Sequence, residues 1–351
     1  MTSQTIEIAG RRIGPGEPPY IIAEISANHN GDIDRALELM QAAKDAGADA
    51  IKMQTYTADS ITIDHDGPEF LIKGGLWDGY TLYKLYEEAH TPPDWHPIMF
   101  EHARKLDIPL FSTPFDESAI DFLESLDAPA YKIASFEAID LPLIRKAAAT
   151  GKPLIISTGM ANETEIGQAV EAARNAGAEQ LVLLHCVSGY PAPAAEYNLR
   201  TMPDLAARFD VVAGLSDHSL GTAVAVSAVA LGATVIEKHF TMRRDDGGPD
   251  AAFSLEPDEL ATLCEHCKVA HSALGAAHYN RTGSENANAI FRRSLYIVVD
   301  IAEGEEFTRD NVRSIRPGYG VPPDHINDLL GRRAPRALSR GTPVTPDLLG
   351  N

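Results

Sequence analysis

Cysteine is scarce in this chain: three residues, Cys186, Cys264 and Cys267, among 351. So small and odd a set excludes a disulfide-built scaffold and points to reduced thiols and a cytoplasmic location. The Cys264-Glu-His-Cys267 motif has no second pair with which to complete a zinc site. With Leu260, Leu263 and Leu274 its cysteines recur at helical spacing, which reads as the buried face of a helix. Long apolar runs are also missing. Nothing approaches the roughly 20 residues that span a bilayer, and Met1-TSQTIEIAGRRIG lacks the apolar core of a signal peptide. Positive charge is in deficit, with 30 Lys and Arg against 50 Asp and Glu, a net charge of −20. That excludes a general nucleic-acid binder, which needs a basic surface. It reads as a solvated acidic exterior and still allows a locally basic cleft for a small anion.

What is present is a strand–helix rhythm. A short hairpin at 5–13 precedes predicted strands at 20–26, 50–55, 108–113, 130–135, 153–158, 180–186, 211–216 and 234–240. Helices are predicted at 32–46, 94–105, 117–125, 141–150, 163–176, 199–208, 222–231 and 256–274. Strict alternation means a parallel sheet with crossover helices. Eight units over roughly 250 residues match a closed (β/α)8 TIM barrel. An open doubly wound sheet is the runner-up, but it wants a Gly-rich phosphate loop after the first strand, and Ile25-SANHNG is not GxGxxG. The long connection 56–93, rich in Gly, Asp and aromatics, reads as a functional loop or lid. Three segments follow: a barrel domain at 1–274, a linker at 275–291, and a small mainly-β domain at 292–351.

The strand ends carry the chemistry. His218 and His239 lie 21 residues apart at the ends of consecutive strands of one β-α-β unit. Parallel neighbours are only about 4.8 Å apart, so these two imidazoles can hold one metal ion between them. Read alone, each is an ordinary strand-end histidine. Around them the carboxyl ends of the strands, where barrel chemistry sits, are polar with regularity: Glu24, Lys52 and Gln54, Thr113, Lys132 with Ser135 and Glu137, Ser157, Ser188 with Tyr190, and Ser216 on the strand of His218 itself. A lysine within a strand is costly to bury unless it meets an anion. For Lys52 and Lys132 that anion is either a phosphate or a neighbouring glutamate. The hydroxyls are either phosphate donors or local caps.

The runs Ala23-EISANHNG, Gly47-ADAIKMQTY, Phe111-STPFD, Tyr131-KIASFE, Ile156-STGM, His185-CVSGYPAP, Gly214-LSDHSLG and Ile236-EKHF together resemble the sialic acid synthase family, enzymes that condense phosphoenolpyruvate with an amino sugar. Phe291-RRSLYIVVDIAEGE and Ile315-RPGYG resemble that family's C-terminal antifreeze-like SAF domain, a β-clip fold. Within the family, Ser26-Ala27, the triplet Ser135-Phe136-Glu137, Thr81-LYKLYEEAHTPPDWH and Gly247-GPDAAFSLEP are similar to the branch whose acceptor is 2,4-diacetamido-2,4,6-trideoxy-L-altrose. Members acting on N-acetylmannosamine usually carry Gly where Ser26 stands and Asn where Ser188 stands.

The resemblance implies a divalent ion, Mn2+ or Mg2+, on His218 and His239. It implies a phosphoenolpyruvate site made of Lys52, Thr113, Lys132, Ser135, Ser157, Ser188 and Ser216, with Glu24 as base or water-orienting group. It places Gln54, Glu137, Tyr190, Asp250 and Arg316 on the sugar, Arg316 reaching across a domain-swapped homodimer. The same chemistry on N-acetylmannosamine or the legionaminic acid precursor is the alternative. A non-catalytic sugar- or protein-binding module is a third reading, although a binder has no need of the Lys, Glu and His set together.

Overall fold

Alternation along eight short strands decides the architecture. In a computed structural model that describes residues 4–350, β1 (Ile6–Ile8) and β2 (Arg11–Ile13) form an antiparallel hairpin. Eight parallel strands then close on themselves: β3 (Tyr20–Glu24), β4 (Ala50–Thr55), β5 (Leu110–Pro114), β6 (Tyr131–Ile133), β7 (Leu154–Ser157), β8 (Leu181–Cys186), β9 (Val212–Asp217) and β10 (Val235–His239). Their order around the barrel is their order in the chain, β10 pairing with β3 to close it. The expected TIM barrel is the observed fold.

The helices between them are α1 (Ile33–Asp45), α2 (Ala58–Ile61), α3 (Leu82–Ala89), α4 (Trp95–Leu106), α5 (Glu117–Ser125), α6 (Leu141–Ala148), α7 (Glu163–Asn175), α8 (Thr201–Phe209), α9 (Ala223–Ala230) and α10 (Pro257–Leu274). Their starts are set by local chemistry. Asn162 caps α7 in a capping box with Glu165, and Asp116 accepts the Ala119 N–H ahead of α5.

The two faces of each strand build two cores. Residues Ile21, Ala23, Ile51, Met53, Ile133 and Ile236 face outward and pack against the helices. Residues Tyr20, Ile22, Ala50, Phe111, Ile155, Val212 and Val235 face inward and fill the lumen, where Ile6, Ile8 and Ile13 of the hairpin join them. Apolar filling of the lower lumen leaves the next inward positions toward the carboxyl ends for polar residues, and those positions are Glu24, Lys52, Thr113, Lys132, Ser157, Ser216 and Glu237.

Three details differ from expectation. The first strand ends at Glu24, because the chain then turns through left-handed Ala27 and Asn30 (φ 60° and 52°). The 56–93 connection is not a bare loop: it holds α2, α3 and a tight antiparallel turn bridging Leu71 and Thr81. In α10, Leu260, Leu263, Cys264 and Cys267 are buried as expected, but Leu274 is half exposed at the helix's last position. Burial pushes both thiols up to about 12, so neither is a thiolate at neutral pH.

The chain divides into two compact units, Met1–Gly275 and Ala276–Asn351. Residues 1–3 and 351, the outer ends of the domains expected from sequence, lie outside the described residues. The second unit opens with α11 (Gly283–Ala287) in the stretch expected to be a linker. It continues with the antiparallel pair β11 (Ser294–Ile297) and β12 (Val312–Ile315), isolated bridges such as Ile301 to Leu338, and α12 (Ile326–Leu329). Its core of Leu295, Ile297, Phe307, Val312, Leu329 and Val344 is separate from that of the barrel.

Candidate active site

The carboxyl ends of the barrel strands open into a cavity of about 480 Å3, lined by Lys52, Gln54, Lys132, Ser135, Glu137, Tyr190, Ser216, His218, Glu237, His239 and Asp250 among others. Five strands and the loops that follow them thus bring eleven chemically active side chains to one space, ten of which were expected from sequence.

The floor is an ionic network. Lys52 is 1% exposed and Glu24 is fully buried. The Lys52 ammonium pairs with the Glu24 carboxylate, donates to Thr113 Oγ1 at 3.2 Å and lies 3.6 Å from Glu237 Oε1. Lys132 Nζ is 3.3 Å from the same Glu237 oxygen, and Ser216 Oγ donates to it at 3.4 Å. Burial alone would push Glu237 up, but Lys132 and then Lys52 pull it down to about 2. Burial likewise opposes the charge on Lys52, and Glu237 and Glu24 more than restore it, so its ammonium is held above the ordinary lysine range. Glu24 Oε1 is spent on the Ser26 N–H. Glu24 therefore stands behind the lysine while Glu237 faces the cavity.

Glu237 was not singled out from sequence. The signal was there, since period-two alternation puts it on the same strand face as His239.

Beside this floor lies a hydroxyl cradle. A Cβ placed on Gly159 would sit 2.8 Å from Ser135 Oγ and against Ser188 Oγ. The Ser157 and Ser188 hydroxyls are buried with no hydrogen-bond partner among the described residues. Orphaned hydroxyls about a small-residue gap, next to Lys132, are donors waiting for an anion. Thr113, Ser157 and Ser188 do not line the open cavity themselves and stand just behind it.

The imidazoles of His218 and His239 face each other with ring centroids 5.4 Å apart. His218 is held from every side. Its backbone N–H donates to the Tyr197 hydroxyl at 2.8 Å, its carbonyl accepts from Ala192 N at 3.0 Å, and Nδ1 lies 3.0 Å from the Val187 carbonyl. A proton on Nδ1 toward that carbonyl leaves Nε2 as a free lone pair. Asp250 Oδ2 is 3.3 Å from His239 Nδ1 but off the line of a hydrogen bond, so that nitrogen is buried without a hydrogen-bond partner among the described residues. Among the described residues no three His, Cys, Asp or Glu side chains form a complete metal-ligand cluster. Two imidazoles, one pinned and one orphaned, nevertheless fit a divalent ion whose other positions are filled by water and substrate.

Above the floor, the Tyr190 ring lies tilted against His218 with centroids 4.5 Å apart, and burial raises its phenol well beyond the ordinary range. Burial also raises Glu137, whose Oε2 has no hydrogen-bond partner among the described residues. Arg316 belongs to the second unit, exposed immediately after β12.

On the outer face of the same strand ends, Lys238 Nζ donates to Asp217 Oδ2 at 2.8 Å, both residues being buried. Asp217 also accepts the Ser219 N–H at 2.8 Å. Each partner of this ion pair precedes one of the two histidines. Sequence reasoning passed over it because outer-face positions are normally apolar.

Residues 39–279 match the NeuB family and residues 292–350 the SAF domain, and the chain belongs to the NeuB family. The pseudaminic acid synthase of Helicobacter pylori is 42% identical over 94% of this chain and 98% of that protein. The pseudaminic acid synthase of Campylobacter jejuni is 45% identical over 92% of this chain and 94% of that protein. Among solved structures, the N-acetylneuraminic acid synthetase of Leptospira borgpetersenii, in complex with citrate, superposes with a TM-score of 0.73 at 33% identity, covering 82% of this chain and 95% of that one.

Proposed function

We propose that this chain is a transferase that condenses phosphoenolpyruvate with 2,4-diacetamido-2,4,6-trideoxy-L-altrose and water, releasing pseudaminic acid and phosphate. The observation that carries this is the junction of two half-sites in one cavity: a lysine and hydroxyl cradle for a phosphorylated carboxylic acid, and a histidine pair for a carbonyl oxygen. The 42–45% identity to pseudaminic acid synthases supports this acceptor.

Bond by bond, C3 of phosphoenolpyruvate attacks the aldehyde carbon of the ring-opened sugar. The aldehyde oxygen gains a proton and becomes a hydroxyl. Water adds at C2, and the C2–O bond to phosphate breaks, leaving the keto acid. Lys52 and Lys132 with Ser135, Ser157, Ser188, Ser216 and Thr113 bind the phosphate and carboxylate. Glu237 faces the cavity at the place where water must be oriented. Glu24, the base expected from sequence, positions Lys52. Glu137, with its raised affinity for a proton, is suited to proton transfer. Gln54, Tyr190 and Asp250 bind the sugar. His218 and His239 would hold Mn2+ or Mg2+, which when bound polarises the aldehyde as a Lewis acid. The enzyme acts in the cytoplasm as a homodimer, the partner subunit's Arg316 completing the sugar site.

Phosphate release with phosphoenolpyruvate, Mn2+ and each candidate sugar tests this. Turnover with the trideoxy altrose is expected. Exclusive turnover of N-acetylmannosamine overturns the choice of acceptor, and activity undiminished by a chelator overturns the metal.

A further inference from the structure

One cavity has two unlike halves. Its floor, made by strand ends, is ionic. Its outer wall is apolar and comes from the 56–93 connection, as Tyr56, Ile61, Ile72, Trp77, Leu82 and Leu85. This wall is built rather than incidental. The chain doubles back on itself through Ile72 N to the Tyr80 carbonyl at 2.9 Å, Gly79 N to the Ile72 carbonyl at 3.0 Å and Leu82 N to the Phe70 carbonyl at 2.8 Å. Trp77 Nε1 donates to the Pro249 carbonyl at 2.9 Å, tying the segment to the loop after β10. With its N–H spent, Trp77 offers only ring surface, its ring centre 5.5 Å from that of Tyr190. Tyr56 is locked edge-to-face between Tyr86 and Phe115 at 5.9 and 5.1 Å.

The aldehyde end of the acceptor must lie on the floor, beside the lysine cradle and the histidines. Its far end, C4 to C6, must then point up at the wall. We infer that this wall is the specificity element, reading the C6 methyl and the C4 acetamido methyl of a 6-deoxy diacetamido sugar and disfavouring a sugar with a C6 hydroxyl. The inference rests on the proposed reaction and names which part of the acceptor it selects. A hydroxyl pressed on Ile72, Leu82 and Leu85 exchanges water for surfaces that cannot hydrogen-bond. Apolar pockets reject such an added hydroxyl by about 10- to 100-fold. The Thr81-LYKLYEEAH part of this connection contributes Leu82, Leu85 and Tyr86 to the cavity lining.

The test compares kcat/KM for 2,4-diacetamido-2,4,6-trideoxy-L-altrose with that for its 6-hydroxy counterpart, in the full chain with saturating phosphoenolpyruvate and Mn2+. The unaltered protein is expected to favour the deoxy sugar by about 10-fold or more. Ile72→Asn and Leu82→Asn are expected to lower kcat/KM for the deoxy sugar and bring the ratio within about 3-fold of unity, with KM for phosphoenolpyruvate unchanged. Both residues are half-buried. If either asparagine lowers the melting temperature strongly, Ile72→Ala and Leu82→Ala are expected to shrink the ratio in the same direction. A ratio that survives in folded variants overturns the wall while leaving the reaction intact. An unaltered protein that turns over only 6-hydroxy sugars overturns both.

Discussion

Lys52→Met removes the cation at the centre of the floor while keeping the length and apolar stem of the side chain. Glu24 is then left fully buried, with its second oxygen facing methionine. Glu237 keeps Lys132 at 3.3 Å, so most of the penalty falls on Glu24. Removing one member of a buried pair costs about 3–5 kcal/mol. Because Glu237 retains a partner, the lower end, about 3 kcal/mol, is expected at pH 7.5. For a unit of this size that corresponds to roughly 6–12 °C in melting temperature. Thermal unfolding of the substrate-free protein measures it.

Adding Glu24→Gln to Lys52→Met should recover at least about 2 kcal/mol, the coupling expected of residues in direct contact. A loss below about 1 kcal/mol, or a double variant whose effects simply add, would refute the view that these charges are mutually neutralised in the barrel floor.

Three further outcomes are expected. His29 and His96 are buried, and burial lowers each to about 4, with His90 adding to the effect on His29. The unfolded chain therefore takes up protons near pH 6.5 that the folded chain refuses. Their contribution, up to roughly 3 kcal/mol each, is complete above pH 6.5 and lost as the pH falls toward 4; a melting temperature in His96→Gln that drops just as steeply over that range would exclude His96. Lys238→Met should weaken Mn2+ binding, read by electron paramagnetic resonance, by about 10- to 100-fold with the circular dichroism spectrum unchanged, since partners behind metal ligands act at this scale; unaltered affinity would show that the outer-face ion pair does not position the histidines. Mixed Arg316→Ala and His239→Ala subunits should regain phosphate release that neither regains alone, and no recovery would reject a site shared between subunits.

The barrel was legible because its signal is periodic: a two-residue alternation along each strand and one helix per crossover leave little freedom over eight repeats. Polar residues at strand ends marked the cavity for the same reason, since an inward lysine such as Lys52 needs an anion beside it in an apolar lumen, and Glu24 and Glu237 are there. Glu237 was legible in principle, because strand alternation sets it on the face of the histidine two positions later. What fixes His218 was not legible. The Val187 carbonyl and the Tyr197 hydroxyl reach it from loops and neighbouring segments whose paths no short-range pattern encodes. The helix α3 was read as loop because eight residues between a turn and Pro92-Pro93 give too little periodicity to count.

On the proposed reaction, the charges in the cavity favour a divalent cation at the histidine pair. Among the described residues Lys52 and Lys132 are the ammonium groups that line it, and both are already engaged by Glu237, with Glu24 behind Lys52. Asp250 and Glu137 add further acid on the rim. Phosphoenolpyruvate brings a carboxylate and a phosphate carrying most of two charges at neutral pH. If it enters, the lysines must be shared between substrate and protein carboxylates, and the surplus acid is stranded in a space of low dielectric. Protonation can relieve one carboxylate, and burial readies Glu137 for that. The remaining imbalance lies next to the histidine pair, where Asp250 Oδ2 already approaches the orphaned Nδ1 of His239. A doubly charged ion there offsets the acid on the rim and the anion on the floor together, so binding of metal and of phosphoenolpyruvate should each strengthen the other by the same factor.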